Sequence, residues 1–428
     1  MFSAAMASVS SIERQAKMKN LLNFLDVHKI SPSSVDIDQM CNYKLSQMKE
    51  GEEGRPSSIA MVQSYCTPSV NIPINRKVAV IDAGGTNLRT CSIYFDENFT
   101  PVFENYEHTT MPGIKTEVSA NTFFSVFADQ VERLVNITDA MGFCFSYAAK
   151  ILPDHDGVPF LLSKEIKAPQ VVGKHLGKEL FAELSSRGHD MSNKKIIVMN
   201  DTVTTLLAAL PAAKNMGCEG CIGFILGTGT NTAFMGKNGI VNEESAGLDI
   251  RLGDIDRRFT DSTLDPNEHL LEKAVGGAYL GPLALMIIKT AAVEGVFSSA
   301  FTDAIESIDK LNTNDMTSFI ADTPSPLDAC VNTKQDGIKL RALLEAFIER
   351  TAKIAAANIA ASVLYTEYGK EKPVLVNADG TTFYNTPGLK EKTESYLAEY
   401  LAPKGRSVVF TNIRRSPMIG SAIGALSL

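Results

Sequence analysis

Three short stretches carry residues whose types and spacing suit chemistry. In VAVIDAGGTNLRTCSIYF (78–95), Val78, Val80 and Ile81 run into Asp82, followed by Gly84, Gly85, Thr86, Asn87 and Arg89 before Cys91, Ile93 and Phe95 resume alternation. The pattern reads as a buried strand, a turn and a hairpin partner. Glycines let a backbone approach a ligand closely, and exposed amides beside a hydroxyl and a guanidinium suit phosphate oxygens. Asp82 at a strand end suits a metal's water. An ordinary tight hairpin accounts for the segment equally well. LGTGTNTAF repeats the logic after an apolar run at 221–226, with Gly227, Thr228, Gly229 and Thr230 small and Asn231 able to form a specific hydrogen bond. Two such turns, each ending an apolar strand, suggest a polyphosphate clamped between two similar halves. VMNDTVTTLLAAL places Asn200 and Asp201 between a strand and a helix. An aspartate there also serves as a helix N-cap. Phosphoryl transfer to an alcohol, however, needs a carboxylate that orients the hydroxyl and accepts its proton.

The elements that must position these residues alternate between strands and helices, which predicts an α/β protein. Strands are expected at 78–95, 141–147, 195–200 and 221–229, with further strands in PVLVNADG and RSVVFTN. Helical spacing is expected from residue 12 to about 50, at 120–135 and 173–187, and through most of the chain after 268, and GSAIGAL reads as a glycine turn opening into a short helix. The 428 residues suffice for two domains, and 44% apolar with 21% charged residues is ordinary for a globular chain. A formal charge of −8 argues against nucleic acid or an anionic membrane as main partner. No apolar run approaches the ~20 residues needed to span a bilayer. MFSAAMASVSSIERQAK lacks a basic stretch before a long apolar core, so no secretory signal is expected, while a short organelle-targeting leader stays open. Seven scattered cysteines predict reduced thiols and a cytoplasmic setting, with Cys218 and Cys221 as a lone CxxC.

With these motifs in view, the chain resembles the hexokinase family of the actin-like ATPase superfamily. DAGGTNLR resembles the family's first phosphate motif, GFCFSY its sugar-serine segment, and LSKEIKAP its Thr-Lys-Gly-Phe-Lys stretch. NDTVTTLLA and LGTGTNTAFM resemble the catalytic and second phosphate motifs, and IVNEESAG and DPNEHLLEKAVGGAYLG the segments giving acidic sugar ligands. NADGTTFYNTP and IGSAIGAL resemble the adenosine-side elements, and MKEGEEGRPSSIAMVQSY the approach to the first strand. The motifs follow in unbroken order over most of the chain.

The resemblance implies a two-domain, ribonuclease H-like α/β fold with a cleft between a small domain (77–199 plus 415–428) and a large one (1–76 plus 200–414). It implies phosphorylation of a hexose, glucose first, at the 6-hydroxyl by ATP and Mg2+, and leaves the oligomeric state open. Asp201 would be the general base. Ser146, Ser163, Lys164, Asn200, Asn231, Glu244 and Glu272 would hold the other hydroxyls, a set of donors and acceptors suited to a sugar ring. Gly84, Gly85, Thr86, Asn87, Arg89, Gly227, Thr228 and Gly229 would face the phosphates, Asp82 would hold magnesium through water, and Asp379, Gly380, Thr381, Gly420 and Ser421 would lie by the nucleoside. Glu243 adjoins Glu244, and the register favours Glu244. Asp254 and Asp256 read as structural. The chain departs from the family in Ala83, in Tyr147 and Ala148 where Phe-Pro is usual, in Ser163, in Glu165 and Ile166, and in Ile419, Ala422 and Ile423. A hexose-binding sensor with little turnover, or a plain ATPase of the superfamily, are the rival readings. The compact Cys and His cluster of zinc-bearing repressor-like sugar kinases is absent.

Overall fold

The computed structural model describes residues 19–69, 72–162 and 166–428. In chain order the strands are β1 (Val62–Gln63), β2 (Val78–Gly84), β3 (Asn87–Phe95), β4 (Pro101–Thr110), β5 (Ala140–Phe145), β6 (Ala149–Ile151), β7 (Gly157–Pro159), β8 (Lys195–Met199), β9 (Gly220–Leu226), β10 (Thr230–Gly236), β11 (Gly239–Asn242), β12 (Val374–Asp379) and β13 (Val408–Thr411). One sheet runs β4-β3-β2-β5-β8 and a second β1-β11-β10-β9-β12-β13. In the first, β2, β3 and β4 form an antiparallel meander, and β5 and β8 join β2 in parallel. The second repeats that plan, with β9, β10 and β11 as the meander and β12 and β13 added in parallel. β1 extends its edge.

The two glycine-rich turns are therefore the same hairpin in two copies of one topology, each joining the first and second strands of its sheet. The sequence reading found the central strands, whose continuous apolar runs mark burial on both faces. It named neither β10 nor β11, and it missed β4, an edge strand whose ENYEHTT half is largely exposed.

Each sheet is followed by a helix that crosses to the other. Helix Asp201–Met216 leaves β8 and packs on β9, whereas helix Ser416–Leu426 leaves β13 and packs on β5 and β2. The two helices also pack on each other. Close approach requires glycine there, because a Cβ on Gly420 would lie 1.9 Å from the Thr204 carbonyl oxygen. The C-terminal reading is corrected on this point. GSAIGAL is no glycine turn but the interior of a helix, whose Gly420 and Ser421 are buried.

The larger core gathers around helix Lys334–Thr366, whose alanines at 355–357, 360 and 361 admit neighbours on every side. Helix Ile37–Glu52 packs on it. Two buried ion pairs fasten these layers. Arg350 donates to both oxygens of Asp256 at 2.8 Å. Lys44 reaches Glu243 at 2.6 Å, with both side chains wholly buried, and also donates to the Asn358 carbonyl and the Ser362 hydroxyl. Asp254 bonds His28 at 2.8 Å, so both aspartates read as structural have structural partners. The seven cysteines are all free thiols. No described helix is long and apolar enough to cross a membrane.

Removing one member of a buried pair strands the other charge in a medium that cannot solvate it. Lys44→Met is expected to cost about 3–5 kcal/mol in chemical denaturation. Lys44→Met with Glu243→Met should recover at least half of that loss.

Candidate active site

Asp201 opens its helix, but it is not the cap. Asn200 is, its side-chain oxygen accepting the Thr202 amide at 2.8 Å. The Asp201 carboxylate is thus released from the local role that an aspartate before a helix often has, and it faces the gap between the two sheets. Its neighbours are the hydroxyls of Ser146, at the end of β5, and of Thr202. Burial pushes the Asp201 carboxyl up to about 6, a shift to which the Asp82 charge adds and which the Ser146 hydrogen bond opposes.

Two further carboxylates approach from the side of the second sheet. Glu244 follows β11 in left-handed backbone conformation, with φ at 55°, while Glu243 is turned inward to Lys44. The Asn242 amide donates to Glu244 at 2.6 Å, and Asn242 in turn accepts from Asn231 at 2.8 Å. Burial pushes the Glu244 carboxyl up to about 7, helped by the charges of Asp201 and Glu272. Glu272, on helix Leu270–Val275, accepts the Thr230 amide at 3.1 Å, and burial raises its carboxyl as well. A Cβ on Gly229 would lie 2.2 Å from the same Glu272 oxygen, so the second turn must be glycine there for Glu272 to enter.

The two hairpin turns flank this acidic centre. Arg89 donates to Asp82 at 2.9 Å, and burial nonetheless raises the Asp82 carboxyl, with the Asp379 charge adding to the shift. Asp82 and Asp379 thus confront each other from the two sheets. Their hard oxygen donors, short of a full ligand set, match a magnesium ion that takes its remaining ligands from phosphates and water. Among the described residues no group of three or more His, Cys, Asp or Glu side chains forms a closed metal site. The Gly227 carbonyl is held by the Gly277 amide and by the Thr382 hydroxyl, each at 2.8 Å, which locks the second turn against the loop of Gly380 and Thr381. Thr86, Thr228 and Thr381 are exposed on this side, and Gly84, Gly85 and Gly229 sit beside them.

Of the residues singled out in the sequence, Ser163 and Lys164 lie outside the described residues. Asn87 sits at the hairpin's rim, its side-chain oxygen engaged by His108 at 2.8 Å. Asn231 spends its side-chain oxygen on the Thr232 and Ser245 amides, so it braces the Glu244 loop. Gly420 and Ser421 are not at the surface, and the Ser421 hydroxyl donates to Pro417 within its own helix at 2.7 Å. Both lie where the two helices cross, Gly420 against the Thr204 carbonyl. Sequence reasoning missed Asn242 and Thr382, although both lie inside motifs it quoted. Nothing in residue spacing marks a side chain that serves another side chain.

Comparison with known proteins accords with this geometry. Two family profiles, both described as hexokinase, match residues 25–210 and 221–427. The chain is 23% identical to Hexokinase-5 of Oryza sativa subsp. japonica over 98% of its own length and 90% of that protein's. It is 24% identical to Glucokinase-1 of Kluyveromyces lactis, covering 91% and 93%. Among solved structures, the hexokinase of Schistosoma mansoni complexed with glucose superposes with a TM-score of 0.73 at 22% identity, covering 96% of this chain and 100% of that one. The shared architecture is the two-domain, actin-like α/β fold.

The raised carboxyl of Asp201 has a stability consequence. Below about pH 4 it is protonated in both folded and unfolded chains and costs nothing. As pH rises towards 6 the unfolded chain releases the proton more readily, so the folded state loses stability, in full above pH 6. Asp201→Asn is therefore expected to melt about 2 °C or more above the parent at pH 8, with the gap closing towards pH 4 in scanning calorimetry.

Proposed function

The chain belongs to the hexokinase family and is a hexose kinase, and on that premise we propose that it transfers the terminal phosphoryl group of ATP to the 6-hydroxyl of glucose, with Asp201 as general base. The observation that carries this reading is the convergence of Asp201, Glu244 and Glu272 between two hairpins of the same design. A plain nucleotide hydrolase has no use for three carboxylates that repel one another. A sugar presents enough hydroxyls to satisfy all three. Glucose is the first choice because a structural neighbour carries it and a relative is named for it.

In this mechanism Asp201 accepts the proton of the attacking hydroxyl, and a carboxyl poised at about 6 is basic enough to do so at neutral pH while remaining ionised. Ser146 steadies that carboxylate. Glu244, poised at about 7, can both accept from and donate to sugar hydroxyls, and Glu272 and the Asn200 amide take others. Ser163 and Lys164 are proposed to complete the sugar site. Thr86, Arg89, Gly227 and Thr228, with Gly84, Gly85, Asn87 and Gly229, would meet the phosphates, while Asp379, Gly380 and Thr381 would lie by the nucleoside. Magnesium held by Asp82 through water would offset charge on the phosphates. The small domain is proposed as 77–199 plus 415–428 and the large as 1–76 plus 200–414, so that the sugar lies where they meet and closure excludes water, itself a competing nucleophile.

A coupled assay for hexose 6-phosphate, run with ATP, magnesium and a panel of hexoses, tests the proposal. Asp201→Ala should lose about 10²–10⁴-fold in kcat while remaining folded by circular dichroism. In the parent, kcat should fall about tenfold per pH unit below the carboxyl's range near 6. Hexose binding without any sugar phosphate formed would replace the kinase reading with that of a sensor.

A further inference from the structure

The sugar serine and the first phosphate turn lie on neighbouring strands, and one side chain joins them. β2 and β5 pair in parallel up to Ala83 and Phe145, and the Ser146 amide extends the ladder by donating to the Ala83 carbonyl at 3.0 Å. One residue later the phenol of Tyr147 donates to the carbonyl of Gly85, at the tip of the β2–β3 hairpin. Tyr147 is itself anchored, 8% exposed in the core against the first sheet with its ring 5.0 Å from that of Phe145. The next carbonyl of the turn, that of Thr86, accepts the Met111 amide at 3.0 Å, so Tyr147 and Met111 hold successive carbonyls of the tip. Gly85 adopts a φ of +56° and has open space around its α-carbon.

We propose that Tyr147 is a positioning residue for the nucleotide: by holding the Gly85 carbonyl it aims the Thr86 amide at the phosphates. The physical reason is the planarity of the peptide unit. In a trans peptide the carbonyl and the following N–H point in opposite directions, so a hydrogen bond that fixes the Gly85 oxygen also fixes the direction of the Thr86 hydrogen. That N–H donates to no backbone acceptor among the described residues, and Thr86 is exposed. The second turn supports the same logic independently. There the carbonyl of Gly227 is held by the hydroxyl of Thr382 at 2.8 Å, again from a neighbouring element. Both phosphate turns are thus braced from behind by a side-chain hydroxyl on a glycine carbonyl. Tyr147 and Ala148 stand where the resemblance to the family leads one to expect Phe-Pro, and a phenylalanine would carry no hydroxyl for this bond.

The inference rests on the kinase reading above, and the test separates the two. Tyr147→Phe keeps the buried ring and removes only the hydroxyl. Binding of magnesium with a β,γ-imido ATP analogue is measured by titration calorimetry, alongside KM for ATP and for glucose. A lost hydrogen bond of ordinary strength predicts analogue affinity weakened about 3–10-fold and KM for ATP raised by a similar factor. KM for glucose should stay within about twofold, and Tm should be nearly unchanged. An unaltered analogue affinity in Tyr147→Phe, with the parent binding normally, overturns the inference and leaves the kinase reading standing. So does an equal rise in both KM values, the mark of a loosened loop with no directed effect on the phosphates. Absence of analogue binding in the parent protein overturns both.

Discussion

Mutual repulsion among buried carboxylates is the constraint around which the centre of this protein is arranged. Asp201, Glu244 and Glu272 come from three different elements, and burial raises each of them, with Asp201 and Glu272 charges adding to the shift of Glu244. A folded chain gains nothing from that arrangement by itself, since each desolvated charge weakens the native state. It persists because the surrounding frame holds it: Asn242 braces Glu244, the Thr230 amide braces Glu272, and Ser146 braces Asp201. Destabilised acidic groups of this kind mark places where a ligand is meant to supply the missing partners.

The frame is a duplicated one. Two sheets of the same strand order present two hairpins towards each other, and the helix that follows each sheet crosses to pack on its counterpart. The crossing works only because Gly420 lets the two helix backbones touch. Residues beside a ligand and residues beside a helix can thus share one small-residue signature. Sequence alone does not tell them apart, because both need a backbone without a side chain in the way.

One departure in the acidic loop has a clear structural answer. Glu243, next to Glu244, would be a second candidate on chemistry alone. The Lys44 ammonium, carried on a helix some two hundred residues away in the chain, takes it out of contention by pairing with it in the core. With Glu243 fixed inward and Glu244 in left-handed backbone, the loop has one acidic side chain to offer and a defined direction for it.

The sequence by itself determined the α/β class, the central strands, both glycine turns and the carboxylate that follows β8, because these depend on local period, turn chemistry and a motif order that a linear reading can see. Tertiary structure alone decided that the two turns are one hairpin repeated, that Asn200 and not Asp201 caps its helix, that Gly420 and Ser421 are buried in a helix crossing, and that Asn242, Thr382 and Tyr147 hold the groups that face the cleft. The reason is the same in each case. A brace is defined by which atom lies across a gap from it, and that distance is set by packing between segments far apart in the chain, where neither period nor propensity carries information.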